Sequence, residues 1–312
     1  MQETGGQQLM VNSVSANRIR SCRQDRIFVF ICVVILAAFF LITFYPIIYV
    51  ISASFSSGKA VGSGKVVLLP VELSLEGYRS VFRNPNILTS YGNTILYTFS
   101  GSMLNICMAL IAAYPLARKE LPGKNAIMFF FTFTMYFGGG LIPTYMLIRE
   151  LGMIDKIWAL IIPSAVPVYN MILARTFIQS SIPGELLDAA KIDGCNDAKF
   201  FLKIVLPLSK AIIAVLAIYS MVAHWNSYFN AMLYINTPSK MPLQIILKQI
   251  LISNVVTSEM LMMDPELYEA KVELANVLKF SLIVVSTAPI MVIYPFLQKY
   301  FVQGIMIGSL KG

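Results

Sequence analysis

The sequence predicts an all-α membrane protein of six transmembrane helices. Both termini are expected on the cytoplasmic side, with a helix–turn–helix elbow on that face between helices 4 and 5. Three observations carry that expectation. Hydrophobic residues fill 57% of the 312 positions and charged ones only 13%, about half the charge of an ordinary soluble domain. The charges are gathered between long uncharged windows, and Lys and Arg are divided unequally between alternate loops. A soluble fold of this length has core enough and needs a charged surface to cover it. The composition therefore excludes soluble enzymes and disordered chains and points to a bilayer.

The windows give the elements in order. Ile27–Gly58 is 32 residues without a charge, with its apolar core at Ile27–Ser52, and Asn84–Ala117 is 34, its span starting near Tyr91. Asn125–Ile148 supplies 24 residues, Ile157–Ala174 18, Ala211–Ser239 29 and Phe280–Gln298 19. A hydrocarbon core of about 30 Å takes about 20 helical residues at 1.5 Å each, so each window accommodates one span. The third contains Gly138-Gly139-Gly140, read as close packing or a break in a helix. The fourth is the shortest and contains Pro163 and Pro167, which predicts a kinked or broken helix.

Orientation follows from the basic residues. The N-terminal tail, the loops after spans 2 and 4 and the C-terminal tail together hold 14 Lys and Arg against 7 Asp and Glu; the opposite side holds 10 against 9. The richer side is expected in the cytoplasm. The net charge of +8 forms no basic stripe, so no nucleic-acid partner is expected. The first span has a basic flank like a secretory signal, but its apolar run exceeds a signal's 7–15 residues and it is expected to stay as an anchor. Cys22, Cys32, Cys107 and Cys195 have no metal-ligand or CxxC spacing and read as buried or incidental thiols.

The expected organisation is a cytoplasmic tail over 1–26, a transmembrane domain over 27–306 and a C-terminal tail over 307–312. Within the domain lie outer loops at 53–90 and 236–276 and a cytoplasmic loop at 179–210. In the first outer loop Gly58, Gly62 and Gly64 lead to a short amphipathic element at Ser74-Leu75-Glu76-Gly77-Tyr78. The second carries Glu259, Asp264, Glu266, Glu269 and Glu273, and between its prolines Leu243–Val256 reads as a helix on or near the outer interface. No internal repeat is visible.

The loop 179–210 is the most informative part of the chain. Ser181 can cap a helix whose first turn holds Pro183 and Glu185. Leu186, Leu187, Ala189, Ala190 and Ile192 keep that helix compact, and Gly194 suits the left-handed stop after it. Asn196 can cap a second segment in which Phe200, Phe201 and Ile204 recur about a turn apart, and Pro207 leads into span 5. The physics alone leaves two readings: a connector between spans, or a docking surface.

This stretch resembles the cytoplasmic signature loop of bacterial ABC importer permeases, often written Glu-Ala-Ala, about nine residues, then Ile-x-Leu-Pro. The matching residues are Asp188-Ala189-Ala190, Asp193-Gly194 and Ile204-Val205-Leu206-Pro207. Pro183 and Glu185 also resemble the carbohydrate branch, within which the chain is most similar to subunits for oligosaccharide and complex-polysaccharide fragments. With six spans, inward termini and the Trp225-Asn226 pair, the resemblance covers roughly residues 27–306. Asp188 departs from the usual Glu and keeps its charge on a shorter arm; Cys195 replaces the usual Ala.

The resemblance implies a permease subunit in the bacterial cytoplasmic membrane. It implies an oligosaccharide solute delivered by an extracytoplasmic solute-binding protein. Its partners would be a second homologous permease subunit and two copies of a cytoplasmic ATPase subunit. ATP and Mg would sit on that ATPase, since this chain has no GxxxxGK[ST] loop, and no cofactor or metal is expected here. The segment Glu185–Ile192 would be the coupling helix, with Pro183, Glu185, Leu186, Asp188, Ala189, Ala190, Asp193, Gly194 and Pro207 as coupling residues.

On the solute side, a sugar path needs hydrogen-bonding groups and aromatic platforms within an apolar wall. Tyr97, Tyr136, Trp225, Asn226, Tyr228 and Asn230 are the candidates, with Asn226 and Asn230 on one face at i,i+4. Interhelical packing and interface anchoring compete for each of them, and Trp225 also reads as a belt residue. A stand-alone secondary carrier or channel is the alternative function. Such a carrier usually has ionisable groups in its spans or pseudo-symmetry, and the sequence displays neither. An integral-membrane enzyme would need clustered His or acids, and there is one His.

Overall fold

The computed structural model of the chain describes residues 23–254 and 265–309, and among these it is all-helical, with no β-strand. It divides into two compact units, residues 1–48 and 49–312. In the first, helix α1 (Arg23–Ser54) exposes almost every side chain from Arg23 to Ile47, including Phe28, Phe30, Leu36 and Ile42. An apolar helix exposed all round is a membrane span. Residues 1–22 lie outside the described residues, and 23–26, expected in the tail, already belong to the first turn of α1.

In the second unit the expected outer loop 53–90 folds into α2 (Gly58–Gly62) and α3 (Glu76–Phe82), and α4 (Ile87–Ala117) begins four residues before Tyr91. The third window divides into α5 (Lys124–Tyr136) and α6 (Leu141–Glu150), bent by 107°. Gly140 at φ 87° makes the turn, so the glycine cluster is a helix break. The fourth window gives α7 (Trp158–Ile161), a short 3₁₀ turn through Pro163, and α8 (Val168–Ser181), bent by 48° as the prolines predict.

The elbow follows as α9 (Gly184–Ile192), α10 (Asp197–Phe200), a π-helical turn over Phe201–Val205 and α11 (Leu206–Leu208). Then α12 (Lys210–Trp225) and α13 (Phe229–Tyr234) replace the expected continuous fifth span. Segment 197–208 is bent by 79° from α12.

Helix α14 (Leu243–Ser253) forms within the stretch expected to be helical. Leu243, Ile245, Ile246, Leu247 and Ile250 are buried, so it docks into the core; Val256 lies outside the described residues. Helix α15 (Pro265–Ser309) starts well before Phe280. Its charged beginning, expected in a loop, therefore belongs to a helix; Glu259 and Asp264 lie outside the described residues.

Helices α1, α4 and the segment Glu266–Pro295 of α15 are each long and apolar enough to cross a membrane, and the three bent pairs pass the same test as pairs. The core forms around α4, which packs on α8 and α12, while α12 and α14 pack on α15. Its buried face reads Gly101, Asn105, Ala109 and Ala113 at four-residue steps, and such small residues let helix axes approach closely. At Gly101 a β-carbon would stand 2.5 Å from the His224 ring. The one histidine is thus a packing group set against α4, with Asn105 3.5 Å away.

Candidate functional site

Two regions hold the residues singled out from the sequence: the elbow and the broken end of α12. In the elbow α8 runs on through Ser181, so Ser181 ends that helix, and Pro183 in extended conformation (ψ 144°) is the residue before α9. The sequence placed the cap two residues early because it could not tell where α8 stops. The other local signals held. Gly194 adopts φ 72°, and the Cys195 amide donates to the Ala190 carbonyl at 2.8 Å. The Asn196 side chain accepts from the Lys199 amide at 2.8 Å and caps α10.

Helix α9 buries Ala190 alone. Glu185, Leu186, Asp188, Ala189 and Lys191 are exposed and Ile192 is 87% exposed. Underneath, Ala190, Phe200 and Val205 enter one core cluster with Ala113, Leu116, Met171 and Ile178, and Leu206 packs at its edge. Pro207 sits in α11 between the π turn and α12.

The elbow is also tied to the end of α4 by groups the sequence did not single out. Arg118 pairs with Asp197 and, at 3.0 Å, with Glu120; Lys191 reaches Glu120 at 3.9 Å. Tyr114 lies 5.2 Å from the ring of Phe201. Arg175 and Gln179 of α8 donate to the carbonyls of Leu116 (3.0 Å) and Ala117 (3.3 Å), satisfying the acceptors that a helix end leaves free. The pair lies at the edge of the fold: the Arg118 side chain is 18% exposed and that of Asp197 64%. Arg118 was legible only as a basic residue in a loop, because its partner is 79 positions away.

At the other end, α12 stops at Trp225 and Asn226 is its C-cap, so Asn226 and Asn230 do not share one helix as expected. The structure separates the six path candidates. Trp225 is buried and donates from Nε1 to the Ser286 carbonyl at 2.9 Å, which replaces the belt reading with an interhelical anchor. Tyr97 is buried and donates to the Lys240 carbonyl at 2.8 Å. Its neighbours Asn93 and Thr94 bind the Ser239 carbonyl and the Leu243 amide at 2.8 and 2.7 Å. This face of α4 therefore stitches down the segment before α14.

Asp155 holds the same segment from below. Its carboxylate accepts from the amides of Asn236 (3.0 Å) and Thr237 (2.9 Å), the Thr237 hydroxyl (2.6 Å) and the Lys240 ammonium (2.8 Å). Hydrogen bonds from Lys240 and then Thr237 hold its carboxyl well below the usual carboxylate range.

Tyr136 is exposed at the end of α5, and Asn226 and Asn230 are exposed on either side of the break. Tyr228 stands in the break itself. Its hydroxyl donates to Met232 Sδ at 3.1 Å and accepts from Lys248 of α14, whose ammonium lies 4.3 Å from the ring centroid. Of the six candidates Tyr228 alone hydrogen-bonds a charged group. Lys248 was missed because it falls in what reads as an outer loop.

Comparisons with known proteins agree with this architecture. The family described as binding-protein-dependent transport system inner membrane component matches residues 105–307. The polygalacturonan/rhamnogalacturonan transport system permease protein YtcP of Bacillus subtilis is 39% identical, over 93% of this chain and all of that protein. Protein LplC of the same organism is 38% identical over 87% of this chain and 90% of its own length. Among solved structures, a chain of a bacterial ABC transporter involved in import of the acidic polysaccharide alginate superposes with a TM-score of 0.77. It is 35% identical, over 90% of this chain and 99% of that one.

Proposed function

The chain belongs to the binding-protein-dependent transport system inner membrane components, and from that premise we propose how it works. It is a multi-pass cell-membrane protein and the permease subunit of an ABC importer for sugars. It is not an enzyme by itself. A carrier working alone is not favoured.

The finer reading joins the three straight helices and three bent pairs into six spans, with both termini in the cytoplasm. The chain pairs with a second, homologous permease subunit, and two copies of an ATPase subunit sit below the pair. ATP and Mg are held there and not on this chain. An extracytoplasmic binding protein delivers an oligosaccharide, which relatives in polygalacturonan and alginate import suggest to be acidic.

The observation that carries this reading is α9. It exposes Leu186 and Ile192 beside Glu185 and Asp188 while Ala190, with Leu187 packed at the edge, roots it in the core, the composition of a docking helix rather than of a connector. Closure of the ATPases would push α9. The Arg118–Asp197 pair and the ring of Tyr114 would carry that push to α4, whose packing on α8 and α12 has to change between inward- and outward-facing states.

The test is co-expression with an ATPase subunit, followed by purification and ATP-driven uptake in proteoliposomes. The ATPase is expected to co-purify, and Glu185→Lys or Gly194→Val to cut uptake at least about tenfold, in line with a coupling free energy of 1–3 kcal/mol. Glu185 is exposed, so its variant folds. Wild-type uptake in both variants, or purification of the chain without any ATPase, overturns the reading.

A further inference from the structure

Helix α3 stands at the mouth of a span: it ends at Phe82, and α4 starts at Ile87. One side of it is fixed. Gly77 and Val81 are buried, a β-carbon at Gly77 would collide with the Ser281 hydroxyl of α15, and Tyr78 pairs with Ser54 at 2.7 Å. The other side exposes Leu75, Arg79 and Phe82, with Arg83 following as the C-cap. Apolar side chains and arginines on one exposed face, beside a helix that crosses the bilayer, suit the membrane–water boundary.

That face borders a cavity of about 510 Å³ between α3 and the early part of α15, inside the ~300–1,000 Å³ range of small-ligand sites. Among the described residues three kinds of group line it. Arg79, Arg83 and Glu76 supply charge, two positive against one negative. Ser74 and Ser80 supply hydroxyls, and Leu73, Leu75 and Leu274 supply an apolar wall. The arginines are four residues apart and so are neighbours on one side of the helix. The Ser74 oxygen accepts from the Glu76 amide at 3.2 Å, which leaves its proton free to donate. Leu73 is 81% exposed, so the apolar wall runs on out of the cavity.

We propose that this cavity binds the headgroup of an anionic glycerophospholipid, phosphodiester on the arginines and acyl chains along the leucines. One net positive charge in the lining matches the single negative charge of such a phosphodiester. Guanidinium forks hold phosphate oxygens bidentately, and the Glu76 carboxylate accepts from the hydroxyls of a glycerol headgroup. The leucine wall adds nothing for inorganic phosphate but continues along a lipid's tails. The orientation proposed above makes this the outer leaflet; the chemistry stands without it.

Native mass spectrometry of the full chain, co-expressed with its partner subunits, reads the lipid retained on this chain whether or not an ATPase stays bound. Its outcome is therefore separate from that of the permease reading. Wild type is expected to hold dioleoylphosphatidylglycerol in preference to dioleoylphosphatidylcholine. The double variant Arg79→Gln/Arg83→Gln should lower retention of the tightest-bound copy by about tenfold or more, the usual loss for a hydrogen bond to a charged group. Phosphatidylcholine should be unaffected, and Arg79→Lys/Arg83→Lys should recover part of the loss, since the charge is kept and the fork is not.

Equal retention of the two lipids by wild type, or unchanged retention of phosphatidylglycerol in the glutamine variant, overturns the proposal. Displacement of the lipid by an equal concentration of inorganic phosphate would make this a site for free anions and overturn it too. So would glutamine variants that keep the lipid but no longer capture the binding protein, because the face would then serve a protein partner.

Discussion

The elbow and the broken end of α12 present different groups to their surroundings. At the elbow Arg118 and Lys191 are answered by Asp197 and Glu120 of the same chain, and what is presented outward includes the apolar side chains of Leu186 and Ile192. At the broken end of α12 the polar groups of Trp225 and Asn226 are answered by main-chain carbonyls, while Lys248 is left with an aromatic ring. An end that presents exposed apolar side chains suits a protein partner, because such interfaces draw affinity from a few desolvated anchors.

That contrast can be broken most severely at Ile192. Ile192→Asp should weaken capture of the ATPase by about 30-fold or more, as for a hot-spot anchor worth at least 2 kcal/mol, measured as the ATPase fraction retained on the purified permease. Unchanged retention would mean that the apolar face of α9 is not the docking surface.

Arg118→Gln tests the self-sufficiency of the inner charges. It should leave ATPase capture within about twofold yet lower ATP-driven uptake by about tenfold, since coupling energies run to 1–3 kcal/mol. Loss of capture in the same proportion as uptake would make Arg118 a builder of the docking surface rather than a link behind it.

The smallest effect belongs to Asp155. Its folded pKa lies below its unfolded value near 3.9, so its contribution is fully present above about pH 4 and fades as the pH falls through the folded value. Asp155→Asn should therefore flatten the loss of thermal stability below about pH 4 and leave the slope between pH 5 and 8 unchanged. An equal acid limb in both proteins would show that the Lys240 pairing is not what acid titrates.

What could be read in advance separates by range of interaction. Gly194 and Asn196 were legible because a left-handed stop and an N-cap involve neighbours two to four residues away. The prolines of the fourth window and the glycines of the third announced their bends for the same reason. The end of α12 was not legible: His224–Phe229 contains neither Pro nor Gly, and the anchor at that end is Trp225 on Ser286, 61 positions away. Tyr97 and Tyr228 are the same residue type in similar surroundings, yet one binds a loop and the other a cation. Nothing in the adjacent sequence announces either partner. The charged start of α15 misled because charge signals an exit from the membrane and not the end of a helix.

The 107° bend at Gly140 bears on the lipid. Helix α5 is 13 residues long and α6 is 10, or about 20 and 15 Å at 1.5 Å per residue. Neither alone matches a hydrocarbon core of about 30 Å. No side chain of α5 is buried in this chain, and Phe129 and Phe130 are among those it exposes. Along this arm the bilayer has to thin, or a neighbouring subunit has to supply the missing height, so membrane thickness becomes a variable of assembly at this one place.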